Sequence, residues 1–217
     1  MKQSIQQGLA ICGIIGPILF TIVLITLGFL QPGYNHFTQY MSEFGAIDAP
    51  YAYIMNSVGI PLLGLLIIAF TFTLNKGINN GNGSKIGPFL LVVSGVSFFS
   101  CGIFRCDPGC IPISTIGFLH SYICSIALFS LTFAPFFMYH RLASDDRWHN
   151  YQYYSLTIGI VALCLDVLFK LSSFGDLVGL FQRITFGVPL FWIEIMAIKL
   201  FTIYKNDAKK GGRKNEI

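Results

Sequence analysis

His120, Asp166, Lys170, Arg183 and Glu194 are ionisable side chains set inside long apolar stretches. A charge in hydrocarbon costs about 2.5–3.5 kcal/mol at mid-membrane even on a lenient insertion scale, and residues held at that cost face a bundle interior or a wet cavity. Each is therefore a functional candidate. Arg183 presents a planar fork that matches the two oxygens of a carboxylate or phosphate, and Gln182 stands beside it. Asp166 and Lys170 are four residues apart, on one helix face and at ion-pair spacing. Arg183, Gly187, Leu190 and Glu194 share one stripe by helical periodicity, with Gly187 letting a neighbouring helix approach. The charged ends of that stripe are too far apart to pair.

Ser42, Asp107 and His120 form the reactive set a membrane hydrolase would use, and Ser42-Glu43 can be read as nucleophile and base with His120 relaying protons. No G-x-S-x-G elbow or oxyanion-hole signal accompanies them, and a Ser-Glu pair such as Ser42-Glu43 more often caps a short helix. Cys106-Asp107-Pro108-Gly109-Cys110 puts a turn-forming Pro-Gly between two cysteines. A disulfide closing that turn is the preferred reading; free thiols, a metal or redox pair, and Cys101 as the partner remain alternatives. Cys12, Cys124 and Cys164 read as small packing residues. Protein metal centres usually take at least three ligands, and His36 and His120 show no paired-ligand spacing. P-loop, dinucleotide and haem-attachment motifs are absent. The expectation is no metal and no cofactor.

The elements that must position these residues follow from composition. The chain of 217 residues is 54% hydrophobic and only 11% charged, with a mean hydropathy of +0.66. A soluble domain carries about 25% charged residues, so the solvent for most of this chain is lipid. A helix crosses the hydrocarbon core with about 20 apolar residues, and such runs lie at about 9–30, 52–74, 86–104, 116–139, 152–171 and 178–204. The expected architecture is all-α: a polytopic bundle of six transmembrane helices in one domain, 1–204, followed by a basic tail, 205–217. The first run is too long for a secretory signal and lacks a cleavage site, so it reads as a retained helix. In the loop at about 31–51, Tyr34, Phe37, Met41 and Phe44 recur at helical spacing before Gly45, which predicts a short interfacial helix.

Lys and Arg set the orientation. Lys2, Lys76, Lys85, Arg141, Arg147 and the tail cluster of Lys205, Lys209, Lys210, Arg213 and Lys214 fall on one side, and Arg105 and Lys170 on the other. The expectation is an N-in, C-in protein of the cell membrane, with the 75–85 and 140–151 connections as plain solvated turns. The excess of positive charge, +4 overall, then reads as contact with anionic lipid headgroups and not with nucleic acid. Alternating helix direction places His120, Asp166, Lys170 and Arg183 near the outer surface, level with Asn56, Ser42, Glu43, Arg105 and Asp107. Such clustering at one depth predicts a single outward-facing polar pocket.

The segments Tyr40-Met41-Ser42-Glu43-Phe44-Gly45-Ala46, Ala49-Pro50, Asn56, Asp107, His120 and Gly179-Leu180-Phe181-Gln182-Arg183 resemble the signature regions of a family of bacterial and archaeal membrane proteins, domain of unknown function 998. The resemblance spans nearly the whole chain and implies a six-helix topology; it supplies no reaction. Two functional expectations follow. In the favoured one the pocket binds or passes a small polar or lipid ligand, held by Arg183, Asp166, Lys170, His120, Asn56, Glu43 and Gln182. In the other, Ser42, Asp107 and His120 hydrolyse a lipid or cell-envelope substrate.

Overall fold

A computed structural model describes residues 3–79, 85–171 and 174–214, and the side chains of those up to 208. Among them there is no strand. Six helices carry the fold: α1 (Gln3–Leu30), α2 (Ala52–Gly77), α3 (Ile86–Cys101), α4 (Thr115–Ala143), α5 (Tyr151–Leu171) and α6 (Val178–Lys214). All but α3 are long and apolar enough to cross a membrane; α3 is a shorter apolar helix of 16 residues. The helix ends fall within a few residues of the expected runs, except that α1 begins earlier, at Gln3, and α6 continues through the basic segment. Lys2 lies outside the described residues, as do the side chains of Lys209, Lys210, Arg213 and Lys214.

Each helix packs on the next in sequence, and α6 closes the ring against α1. The core inside that ring is built by Phe70, Leu131, Trp192, Ile193 and Met196, all fully buried. Between α2 and α3 the backbones nearly touch: a Cβ on Gly64 would run into the Gly95 carbonyl oxygen. In lipid, helix association depends on such close packing. Near its start α2 widens into a π turn, Met55–Gly59, where Ile60 N–H donates to Met55 O. Pro61 follows and has no N–H to continue the ordinary ladder. The insertion leaves Asn56 buried and facing the first loop.

The 75–85 and 140–151 connections are more than the solvated turns expected from sequence. Arg141 is fully buried and donates to Asn75 Oδ1 at 2.7 Å, to the carbonyls of Ile78 at 2.8 Å and Asn79 at 3.2 Å, and to that of Asn75. Asp145, also buried, accepts from Asn79 N and pairs with Arg147 at 2.7 Å. An arginine fork saturates several carbonyls at once, so this end of the bundle is stitched shut.

Candidate functional site

The opposite end is closed by the first loop, which is held by side chains from α2 and α6. Its helix is shorter than expected, a 3-10 turn at Met41–Gly45, and Met41 and Phe44 point into the bundle instead of lying along an interface. Glu43 shapes the turn by accepting from Tyr40 N at 2.7 Å and from Gln39 Nε2 at 2.9 Å. Gln182 Oε1 accepts from Met41 N at 2.6 Å, and Asn56 Nδ2 donates to Gly45 O at 2.8 Å.

Arg183 is the main clasp. Its guanidinium donates to His36 O at 2.6 Å, Gln39 O at 3.1 Å, Gly179 O at 2.8 Å and Tyr34 Oη at 2.6 Å. Tyr34 in turn donates to Tyr40 O at 2.8 Å and stacks on Phe44 with ring centres 3.9 Å apart. Burial raises the Tyr34 phenol above its ordinary value, against the pull of the Arg183 hydrogen bond and charge, so it remains a donor. The same two influences, burial first, lower His36 and keep a second positive charge away from Arg183. Gly179 permits the docking, since a Cβ there would meet the Gln39 and His36 carbonyls.

The second loop is organised by Asp107. Its Oδ2 accepts from Ile113 N at 2.7 Å and Ser114 N at 2.8 Å, and its Oδ1 accepts from Ser114 Oγ at 2.7 Å. Ser114 Oγ caps α4 through Gly117 N. These donors, Ser114 N first, hold the Asp107 carboxyl below its ordinary value. A carboxyl lowered by folding stabilises the fold above its unfolded pKa of about 3.9, and that contribution disappears as pH falls through the lower folded value. Asp107→Asn is expected to be less stable than the parent at pH 7 and to lose less of its remaining stability on acidification below about pH 4. Thermal melts of both proteins across pH check this; parallel pH profiles would contradict it. Cys106 and Cys110 are bonded to each other, the preferred pairing for this turn.

The polar set expected to share one pocket divides. A cavity of about 320 Å³ is lined by Ser42, His120, Lys170 and Gln182, together with Ser121, Cys124 and Ser125, and is walled by Phe20, Leu128, Phe169 and Phe186. A second cavity of about 340 Å³ holds Arg183 and His36, and Phe20, Met41 and Phe186 line both. Asp166 lines neither; it is buried, accepts from Thr132 Oγ1 at 2.7 Å, and its Oδ1 has no hydrogen-bond partner among the described residues. Lys170 does not pair with Asp166; it donates to Ser125 Oγ at 3.1 Å, and the single salt bridge among the described residues is that of Asp145. Asn56, Glu43 and Asp107 are engaged in loop geometry, Arg105 is exposed, and Glu194 is half-buried deeper in α6.

Sequence reading took Cys124 as a packing residue and Cys101 as an alternative disulfide partner, and passed over Ser121 and Ser125. The available signal was register on α4: Cys124 lies four residues after His120 and Ser125 four after Ser121, in two adjoining rows of the helix. His120 Nε2 is 3.4 Å from Cys124 Sγ, while Nδ1 bonds Phe104 O at 2.6 Å. A carbonyl only accepts, so Nδ1 carries the proton and Nε2 is the bare nitrogen of the neutral ring.

No curated protein and no solved structure matches the chain. The family described as "protein of unknown function (DUF998)" matches residues 14–199, the span that includes both loops, both cavities and every helix but the ends of the first and last. The chain belongs to the DUF998 family of proteins of unknown function.

Proposed function

We propose that this membrane protein binds an amphipathic ligand with an anionic head in the cavity beneath the first loop, with Lys170 as the cation that receives the head. The supporting observation is the lining itself: Lys170, Ser121, Ser125 and Gln182 gather polar groups against the apolar walls of Phe20, Leu128, Phe169 and Phe186. At about 320 Å³ the cavity sits at the small end of ligand sites, about 300–1,000 Å³. That volume suits a head group and the first carbons of a chain, with the remaining chain left in the bilayer. Arg183 passes from ligand contact to loop clasp in this reading, because its donors are already matched to carbonyls.

Hydrolysis by Ser42, Asp107 and His120 has less support. The atom that orients His120 is the Phe104 carbonyl oxygen, and the Asp107 oxygens are taken by the start of α4.

The test is lipid retention by the purified protein, read by native mass spectrometry against anionic and zwitterionic lipids of equal chain length. The parent is expected to retain the anionic lipid preferentially. Lys170→Gln should weaken that retention about tenfold or more, the scale of one charge-assisted hydrogen bond. Equal retention of both lipids, or an unchanged Lys170→Gln, would refute the assignment.

The proposed orientation puts the stitched basic end in the cytoplasm and the cavity on the outer side. Impermeant thiol labelling of cysteines introduced at positions 48 and 146 should modify the first and spare the second in intact cells. The reverse pattern would invert the orientation.

A further inference from the structure

Cys101 ends α3, and Cys124 lies in α4 one turn beyond His120. Both are free thiols, yet their sulfurs are 2.6 Å apart. Non-bonded heavy atoms settle at about 3.5–4.0 Å, and a disulfide closes at about 2.05 Å. Together with His120 they make three soft donors within 4.8 Å of one another, a set that also calls a metal to mind. Thiolates on one tetrahedral zinc, each about 2.3 Å from the ion, stand roughly 3.7 Å apart; the closer approach of these two sulfurs favours a pair placed to bond. Cys124 and Cys110, of the Cys106–Cys110 bond, both line the cavity.

We propose that Cys101 and Cys124 are a redox-active thiol pair that exchanges with the Cys106–Cys110 disulfide across this cavity, with the bare Nε2 of His120 as the base. In the first step His120 takes the Cys124 proton and the thiolate attacks Cys110 Sγ. The Cys106–Cys110 bond breaks, and its electron pair and the proton go to Cys106. In the second step Cys101 gives its proton to His120 and attacks Cys124 Sγ; the mixed Cys110–Cys124 bond breaks, and Cys110 leaves as a thiolate that takes the proton. The Cys101 and Cys124 pair is oxidised by two electrons and the Cys106 and Cys110 pair is reduced by two, so no outside oxidant is needed for the exchange. The fold brings a loop disulfide, beside the exposed Pro108-Gly109 turn, and Cys124 of the thiol pair to one chamber. Such a placement passes reducing equivalents between the loop and the bundle interior.

Disulfide mapping of the full-length protein in detergent, by alkylation and mass spectrometry without reductant, tests this. Partial reduction of the parent should leave the remaining disulfide distributed between Cys101–Cys124 and Cys106–Cys110. Cys101→Ser removes the resolving thiol and should accumulate the Cys110–Cys124 bond. His120→Gln should slow the exchange at pH 7 by about tenfold or more, with recovery at alkaline pH, where the thiolate forms without a base; a merely structural His120 would give no such recovery. The proposal is overturned if Cys101 and Cys124 are always alkylated as free thiols, if the mixed bond never forms, or if stoichiometric zinc protects both sulfurs. Should Cys101→Ser not fold, the partial-reduction map of the parent decides alone. Mapping is done on delipidated protein, so its failure is separate from a failure of anionic-lipid retention.

Discussion

Arg183→Ala is expected to detach the first loop and to lower the stability of the folded bundle by about 2–4 kcal/mol. Four acceptors lose their donor at once: the carbonyls of His36, Gln39 and Gly179, and the Tyr34 hydroxyl. Hydrogen bonds to charged groups contribute about 1.5–3 kcal/mol each, and leaving a buried acceptor without a donor costs about 1–3 kcal/mol. The sum is smaller than four such terms because the loop, once released, regains entropy and its carbonyls regain water. Arg183→Lys keeps the charge but offers a point in place of a fork, so its loss should lie between. Hydrogen exchange across residues 34–46, followed with thermal melting, reads both effects. Unchanged protection of that segment in Arg183→Ala would show that Met41 and Phe44 packing and the Gln182 and Asn56 hydrogen bonds hold the loop without Arg183.

The helices were legible in the sequence because lipid imposes one strong rule, a span of apolar residues of fixed length, and runs such as 152–171 obey it. The family resemblance was legible for a related reason. Its segments, Ser42-Glu43 and Gln182-Arg183, are the ones that dock the first loop, so they carry the same geometry in sequence and in space. Partner choice was not legible. Asp166 and Lys170 have ion-pair spacing, but the rotation of α5 turns Asp166 to Thr132 inside the ring and Lys170 to Ser125 at its edge. Arg183 has the shape of an anion receptor, and backbone carbonyls from a loop some 140 residues earlier in the chain met that shape first. Cys124 looked like a packing residue, since only the end of a different helix brings Cys101 against it. Arg141 and Asp145 looked solvated because the connection they tie down is remote in sequence.

The second large effect is expected at Asp166. Thr132→Val removes the one donor to its carboxylate among the described residues and leaves Asp166 buried without that hydrogen bond, at a cost of about 1–3 kcal/mol. Thr132→Val combined with Asp166→Leu removes both polar partners, and the protein should return to the parent's stability or exceed it. Thermal melting in detergent of the single and double variants measures the difference. A double variant that is as unstable as Thr132→Val, or worse, would mean that the carboxylate has a further partner inside the bundle.

The central claim is the site itself: a chamber under the first loop that takes an anionic head at Lys170, with Arg183 committed to the loop. The most direct measurement is an experimental map of the protein prepared in native lipid. The account predicts elongated density that begins within hydrogen-bonding distance of Lys170 Nζ and Ser125 Oγ and runs along Phe169 and Phe186. Density seated on the Arg183 guanidinium with the first loop displaced, or a chamber filled by side chains alone, would contradict it.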